Sequence, residues 1–244
     1  MITMRTYTIL VSVILGLLVL QGCKPTQQSQ SETITQELTT SPFSNGVPAQ
    51  VVVIGGQEYK YPIIAIWVED LRGNFIGTVY ASQSISTGIF RYGVYDKGKW
   101  LPGERNRPAA LPRWKNLTAS NAPRVNQGVD AFSGATPSGS FALKTMLPAG
   151  IDEFKVYMEV NKPWDFNNYW HNNRYPGDEE YATSGQPAII YEALVSRKTG
   201  DSLFYFKPIG HSNPSGANGE IIPDIATFTS ALKIVERAWI ELSK

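Results

Sequence analysis

Short apolar or alternating runs recur along the chain from residue 49 onward, and they predict a β-rich fold. Gly, Pro, Asn or Asp residues separate most of these runs, as turns between strands require. The predicted strands cover residues 51–54, 61–70, 75–81, 141–147, 154–161, 187–195 and 202–207. Many short strands joined by tight turns are typical of an antiparallel β-sandwich, of the immunoglobulin type or a similar one.

Two β-hairpins are predicted within this pattern. The first joins strands 61–70 and 75–81 through a turn that contains Gly and Asn. The second joins strands 187–195 and 202–207 through Thr199-Gly200-Asp201. The carboxylates Glu69 and Asp70, at the end of the first hairpin's leading strand, are interpreted as part of a solvated turn.

Strand 154–161 shows the clearest alternation. The even-numbered positions are apolar: Phe154, Val156, Met158 and Val160. The odd-numbered positions between them are Lys155, Tyr157 and Glu159. Because successive side chains of a strand point to opposite faces, this pattern predicts a half-buried strand with its second face in solvent.

Two other segments are less regular. Residues 83–128 are rich in Gly, Pro and basic side chains, and we expect a long loop in which a short helix could form. A solvated surface is the favoured interpretation of its basic residues, and an anion-facing rim is the alternative. Residues 227–242 have helical spacing that fits one helix, or a short helix to about Val235 followed by a strand at 238–242.

The N-terminus has the features of an export signal. Arg5 precedes an apolar run at residues 9–20, which is too short to span a bilayer but suits a signal peptide. The run leads into Leu20-Gln21-Gly22-Cys23, which resembles the lipobox of bacterial lipoproteins, and Cys23 is the single cysteine. An ordinary secretory signal is the alternative. The lipoprotein interpretation gives a signal peptide at 1–22, lipidation of Cys23, a flexible polar tether at 23–48 and one β-rich domain at 49–244.

Composition narrows the function classes. The formal net charge of +1 argues against nucleic acid as a partner, because no basic surplus exists to displace phosphate counterions. A lipidated Cys23 would leave no thiol for a disulfide, a nucleophile or a metal site. We expect the protein to be lipid-anchored in the bacterial cell envelope, facing the periplasm or the cell surface.

No conventional catalytic motif is visible, so a binding or accessory role is favoured over an enzymatic one. The two histidines, His171 and His211, could bind a metal together with Asp165 or Glu220. Their spacing fits no familiar metal motif, and ordinary surface side chains are the favoured interpretation. We therefore predict no metal site.

The densest run of small residues lies at Asp130-Ala131-Phe132-Ser133-Gly134-Ala135-Thr136. It resembles the flavinylation motif of bacterial proteins that carry covalent FMN, such as the FMN-binding subunits of the sodium-pumping quinone reductase. The resemblance implies that a flavin transferase attaches FMN to Thr136 through a phosphoester, with Asp130, Ser133 and Gly134 as further motif positions. Pro137 departs from the usual pattern. A double turn between two strands is the alternative interpretation.

A wider resemblance covers most of residues 50–242. Ala65-Ile66-Trp67-Val68-Glu69-Asp70, the Ser-Gly-Ala-Thr-Pro core at 133–137 and Tyr157-Met158-Glu159-Val160-Asn161 are similar to a family of predicted periplasmic proteins known only as a domain of unknown function. The resemblance implies an exported β-rich domain beside a flavin transferase or a membrane redox protein.

The segment 164–175 mixes aromatic rings with amides and is predicted to be a long ordered loop, too polar for a core. Its candidate ligand-binding residues, together with one histidine from a later loop at 210–219, are Trp164, Asp165, Asn167, Tyr169, Trp170, His171 and His211. These rings could flank a flavin, or they could stack on sugars while the amides form hydrogen bonds. A carbohydrate-binding surface lipoprotein is thus the alternative function, and a structural cover over one end of the sandwich is the simplest interpretation.

Overall fold

The computed structural model describes residues 33–121, 133–134 and 136–243, and its described part is mainly β. The strands are β1 (Gln36–Thr39), β2 (Val47–Gly55), β3 (Ile63–Glu69), β4 (Phe75–Ser82), β5 (Ile89–Asp96), β6 (Lys99–Glu104), β7 (Ser133–Gly134), β8 (Phe141–Leu147), β9 (Glu153–Asn161), β10 (Ile189–Ser196), β11 (Leu203–Tyr205), β12 (Lys207–Ser212), β13 (Ile221–Ile222) and β14 (Val235–Leu242). The helices are α1 (Gln83–Thr87) and α2 (Pro112–Ser120), and 3-10 turns lie at Tyr181–Thr183 and Ala231–Lys233.

The strands form two facing sheets and one separate hairpin. The five-stranded sheet has the order β1-β8-β2-β14-β11, and the seven-stranded sheet has the order β13-β12-β10-β9-β3-β4-β7. Among the described strands, β5 and β6 pair only with each other. The pairs β1/β8 and β4/β7 are parallel, and the other pairs are antiparallel. The predicted antiparallel β-sandwich is therefore confirmed.

The main core lies between the two sheets. Val51 and Val53 of β2 contribute from one sheet, and Ile66 of β3 and Met158 of β9 contribute from the other. These side chains are fully buried, and each stabilises the fold by about 1.5–3 kcal/mol through removal of apolar area from water. The alternate apolar residues from which strand 154–161 was predicted face this core.

A second core covers the opposite face of the seven-stranded sheet. Trp67 of β3 stacks on Tyr157 of β9 with 5.4 Å between ring centroids, and Trp114 of α2 packs in the same cluster. Tyr157 and Glu159 are consequently buried, and the predicted half-buried strand is wrong for its second face. Alternation could not reveal this cover, because the covering helix comes from a distant part of the chain.

Two segment boundaries also differ from the sequence predictions. The tether predicted over 23–48 is too long, because residues 36–39 form β1 against β8 and β2 begins at Val47. The segment predicted as a loop at 83–128 contains α1, the β5–β6 hairpin and α2 in its described part. The short helix expected there is confirmed as α2, which begins with Pro112, a residue favoured in a first helical turn.

The first predicted hairpin is confirmed as β3–β4, and the second is wrong. Strand β10 pairs with β12, whereas β11 pairs with β14 of the other sheet. The chain therefore crosses between sheets at a turn that local residues alone identify as a hairpin. The C-terminal alternative that ends in a strand is correct, with a 3-10 turn before β14. None of the helices in the described ranges combines the length and apolar composition that a membrane crossing requires.

Candidate functional site

The motif that resembles a flavinylation site lies at one edge of the seven-stranded sheet. Ser133 and Gly134 form β7, which pairs in parallel with Ala81 and Ser82 at the end of β4. The Tyr80 hydroxyl donates a hydrogen bond to the Gly134 carbonyl at 3.5 Å, and a Cβ at Gly134 would lie 3.3 Å from the Tyr80 ring. A glycine therefore suits this close packing, and the backbone before Thr136 is held against the sheet.

The other end of the motif segment is fixed by the five-stranded sheet. The Ser140 hydroxyl accepts a hydrogen bond from the Gly55 amide at 3.0 Å. The Ser140 carbonyl accepts two more from Thr35, one from its amide at 2.9 Å and one from its hydroxyl at 2.8 Å. Thr136 thus lies in a short connection whose ends are anchored to two different sheets.

Thr136 itself is partly exposed and lines an open surface pocket of about 410 Å³. Gln83, Ser84 and Thr87 of α1 and Ile89 of β5 line the same pocket. Pro137, which departs from the usual motif, is buried directly after Thr136. The threonine therefore stands at the wall of a space large enough to receive a small molecule, while the residue after it is held in the structure.

Other parts of the predicted lipidation and flavinylation sites lie outside the described residues. These are Cys23, Asp130 and the side chain of Ser133.

An ion pair between the buried Glu69 and the partly buried Arg113 holds α2 over the outer face of the seven-stranded sheet. One terminal nitrogen of Arg113 donates to both carboxylate oxygens of Glu69, at 2.9 and 3.0 Å, and the Trp67 indole donates to Glu69 at 2.8 Å. The other terminal nitrogen of Arg113 donates to the Gly219 carbonyl at 3.0 Å. The Glu69 side chain is 1% exposed, so its interpretation as part of a solvated turn is wrong.

A second buried carboxylate caps the same helix. Glu159 accepts hydrogen bonds from the backbone amides of Arg113 at 3.2 Å and Trp114 at 2.9 Å, which lie in the first turn of α2 and have no partner within the helix. The Trp114 indole donates to the Thr78 hydroxyl at 3.0 Å. Burial raises the pKa of Glu159 to about 7, against the opposing effect of these hydrogen bonds.

Hydrophobic alternation did not predict this network, although the sequence contains a signal for it. Glu69 follows Trp67 at the same strand parity, and Glu159 follows Tyr157 in the same way. An acid placed beside a large aromatic ring on one strand face indicates that the face is covered, since exposed faces seldom carry both.

The loop at 164–175 uses its polar groups internally. Asp165 is buried and accepts hydrogen bonds from the Ser230 hydroxyl at 2.7 Å and, as an ion pair, from Lys162 at 3.2 Å. The Asn167 amide nitrogen donates to the Thr227 carbonyl at 2.9 Å, and its oxygen accepts from the Trp170 amide at 2.7 Å. These contacts join the loop to the segment before β14 and leave few polar atoms for a ligand.

Trp170 is a core residue and not a binding residue. It is 4% exposed and packs against Phe228 and His211 with ring-centroid distances of 5.3 and 5.6 Å. His211 lies in β12 and is itself buried, so the predicted loop at 210–219 begins only after Ser212. Burial lowers the pKa of His211. The sequence indicated a polar loop because amides surround Trp170, but the ring turns inward to close the main core.

The remaining aromatic candidates are on the surface. Trp164 and Tyr169 are 58% and 42% exposed, and the guanidinium of Arg174 lies 3.6 Å from the Tyr169 ring centroid. His171 is also exposed. In the described ranges, no group of three or more His, Cys, Asp or Glu side chains could hold a metal ion.

Comparison of the chain with family models, with curated proteins and with solved structures finds no match.

Proposed function

We propose that this protein is a lipid-anchored, extracytoplasmic β-sandwich that carries FMN on Thr136 and serves a flavin-based electron-transfer system of the cell envelope. The observation that supports this most is the position of Thr136 at the wall of an open pocket, between two anchored ends of its segment. A transferase can reach such a threonine, and the anchored ends limit how far the attached group can move.

The residues around Thr136 fit a phosphoester of FMN. The threonine supplies a partly exposed hydroxyl, and Gly134 keeps the backbone before it free of a side chain. In the attachment step the Thr136 oxygen attacks the FMN phosphorus of a flavin dinucleotide. The pyrophosphate bond breaks, the nucleotide monophosphate leaves, and the hydroxyl proton passes to a base of the transferase. When bound, FMN supplies reversible transfer of one or two electrons.

The proposal is tested by producing the protein in a periplasm together with a flavin transferase, beside a known target as a positive control. We expect a flavin-fluorescent band on a denaturing gel for the wild-type protein. The band should disappear in Thr136→Ala and persist in Ser138→Ala, a matched change of a nearby exposed hydroxyl. An unlabelled wild-type protein beside a labelled control target would overturn the carrier function.

The membrane anchor is tested separately. Cys23→Ala should move the protein from the membrane fraction to the soluble fraction and remove the labelling by a radioactive fatty acid. If Cys23→Ala leaves the protein in the membrane fraction with its fatty-acid label, the lipid-anchor proposal is wrong.

A carbohydrate-binding surface remains a second candidate because of Trp164. This ring is largely exposed and its backbone has φ of 64°, a conformation that is rare outside glycine and is often found at functional sites. A glycan array with Trp164→Ala and Tyr169→Ala tests it. Binding that both variants abolish would support a sugar site, and an array without wild-type binding would reject it.

A further inference from the structure

A second open groove, of about 460 Å³, lies beside the Thr136 pocket. Thr87 at the end of α1 lines both spaces, so the two are neighbours. Ile85 and Phe90 are buried apolar residues that line the groove together with the segment after β6. The groove is therefore a mainly polar recess with a small apolar part, and it lies next to the pocket that holds the proposed attachment point.

The polar side of this groove is cationic. Arg105, Arg107 and Lys115 line it, and within the part of the chain that the structure describes none of them forms an ion pair. Glu104 is the acidic residue among the groove's lining. Glu180 interacts electrostatically with Arg107 and Lys115, but it forms no ion pair with either residue, so the three lining cations outnumber the nearby carboxylates Glu104 and Glu180. This excess of positive charge in a recess favours an anionic ligand.

The hydrogen bonds and ring contacts of Arg107 and Lys115 are with neutral groups. The Arg107 guanidinium lies 5.0 Å from the Phe90 ring centroid and donates to the Tyr92 carbonyl at 3.5 Å, and Lys115 donates to the Asn106 side chain. Burial lowers the pKa of both Arg107 and Lys115. An anion bound here would offset part of the cost of holding these charges away from water.

We propose that this groove seats the ring system of the FMN attached to Thr136, with Arg107 and Lys115 stabilising the negative charge that the ring gains on reduction. The inference rests on the proposed carrier function. Its basis in the structure is a recess next to the attachment point in which Ile85 and Phe90 form a small apolar part. The cations of the same recess, Arg105, Arg107 and Lys115, form no ion pair within the described residues. A planar ligand with an apolar face and an anionic edge matches both surfaces of the groove.

The first experiment measures the reduction potential of the loaded protein by reductive titration. Arg107→Gln and Lys115→Gln should each weaken the preference for the reduced, anionic ring about tenfold, which corresponds to a two-electron potential lower by about 30 mV. Lys99→Gln is the matched control, because Lys99 is an exposed cation of the β5–β6 hairpin outside the groove's lining. It should leave the potential unchanged.

The second experiment needs no covalent attachment. Free FMN is titrated into Thr136→Ala protein, and binding is followed by quenching of flavin fluorescence. We expect binding that weakens about tenfold when Arg107→Gln or Lys115→Gln is added and that Lys99→Gln does not change. Circular dichroism on each variant confirms that the fold is retained.

The two experiments separate the failure of the groove from the failure of the carrier function. If the wild-type protein is loaded but neither groove variant changes the reduction potential or the binding of free FMN, the groove proposal is wrong and the carrier function is retained. If the wild-type protein is not loaded but binds free FMN, and this binding requires Arg107 and Lys115, the groove proposal is supported and the carrier function is wrong. A protein that is neither loaded nor able to bind free FMN would overturn both.

Discussion

The two faces of the seven-stranded sheet are buried by different chemistry. The inner face packs apolar side chains such as Ile66 and Met158 against the other sheet. The outer face buries Trp67 and Tyr157 beside two carboxylates and an arginine, and α2 with its flanking segment covers them. One face is stabilised by removal of apolar area from water, and the other also depends on satisfied hydrogen bonds and a paired charge.

The two faces therefore differ in how strictly their residues are determined. An apolar face tolerates exchange of similar residues, whereas a buried carboxylate requires its particular partners. Glu69 and Glu159 hold the first turn of α2, which follows the residues that line the cationic groove. The outer face therefore positions the segment on which the proposed flavin site depends.

The greatest loss of stability is expected for a change in the main core. Trp170→Ala should lower the free energy of unfolding by about 3–5 kcal/mol, because it leaves a cavity where the ring packs on Phe228 and His211. Urea denaturation measures this, with Trp164→Ala as a matched control that should change stability by no more than about 0.5 kcal/mol. Equal effects of the two variants would show that Trp170 is not a core residue.

The next largest loss of stability is expected for the ion pair of the outer face. Arg113→Met should cost about 3 kcal/mol, because it leaves the Glu69 carboxylate buried without its cation. Lys144→Met, which breaks an exposed pair with Glu37, should cost about 0–1 kcal/mol in the same measurement. If the two losses were the same, the outer-face ion pair would have no special role.

The stability of the outer face is also expected to depend on pH, because this face buries the carboxyl group of Glu159. The folded-state pKa of Glu159 is about 7, above the ordinary value of 4.5, so the folded state binds more protons between these values. Its contribution to stability is present below about pH 4.5 and is lost as pH rises through about 7. Urea denaturation should therefore show a loss of about 2–3 kcal/mol between these limits that Glu159→Gln removes. Parallel pH profiles of the two proteins would contradict this assignment.

The smallest expected effect on stability is at the proposed attachment point. Thr136→Ala should change the free energy of unfolding by no more than about 0.5 kcal/mol, because Thr136 is partly exposed and lines an open pocket. Thermal unfolding of the unloaded protein measures this. A large loss would indicate that Thr136 contributes to packing of the fold and is not simply an exposed attachment point.

Hydrophobic alternation was sufficient to predict the sandwich and the strands that face the main core. It failed for Tyr157 and Glu159, because their cover comes from α2, about forty residues earlier in the chain. It also failed for β11, whose turn resembles a hairpin although tertiary contacts place the strand in the other sheet.

The candidate site was predicted in part. The motif identified Thr136 by residue type and spacing, but no sequence signal joined it to α1 or to the cations at 105, 107 and 115. Those groups meet because β7 pairs with the end of β4, directly before α1. Asp165 and Trp170 were misjudged for the opposite reason, since polar neighbours in sequence concealed side chains that turn inward.

The most direct test of the account is peptide mass spectrometry of the wild-type protein after export in the presence of a flavin transferase. We expect one FMN per chain, linked by a phosphoester and located at Thr136 in the fragment spectra. FMN located at Ser133 or Ser138 would contradict it, as would an unmodified Thr136 beside a fully loaded control target.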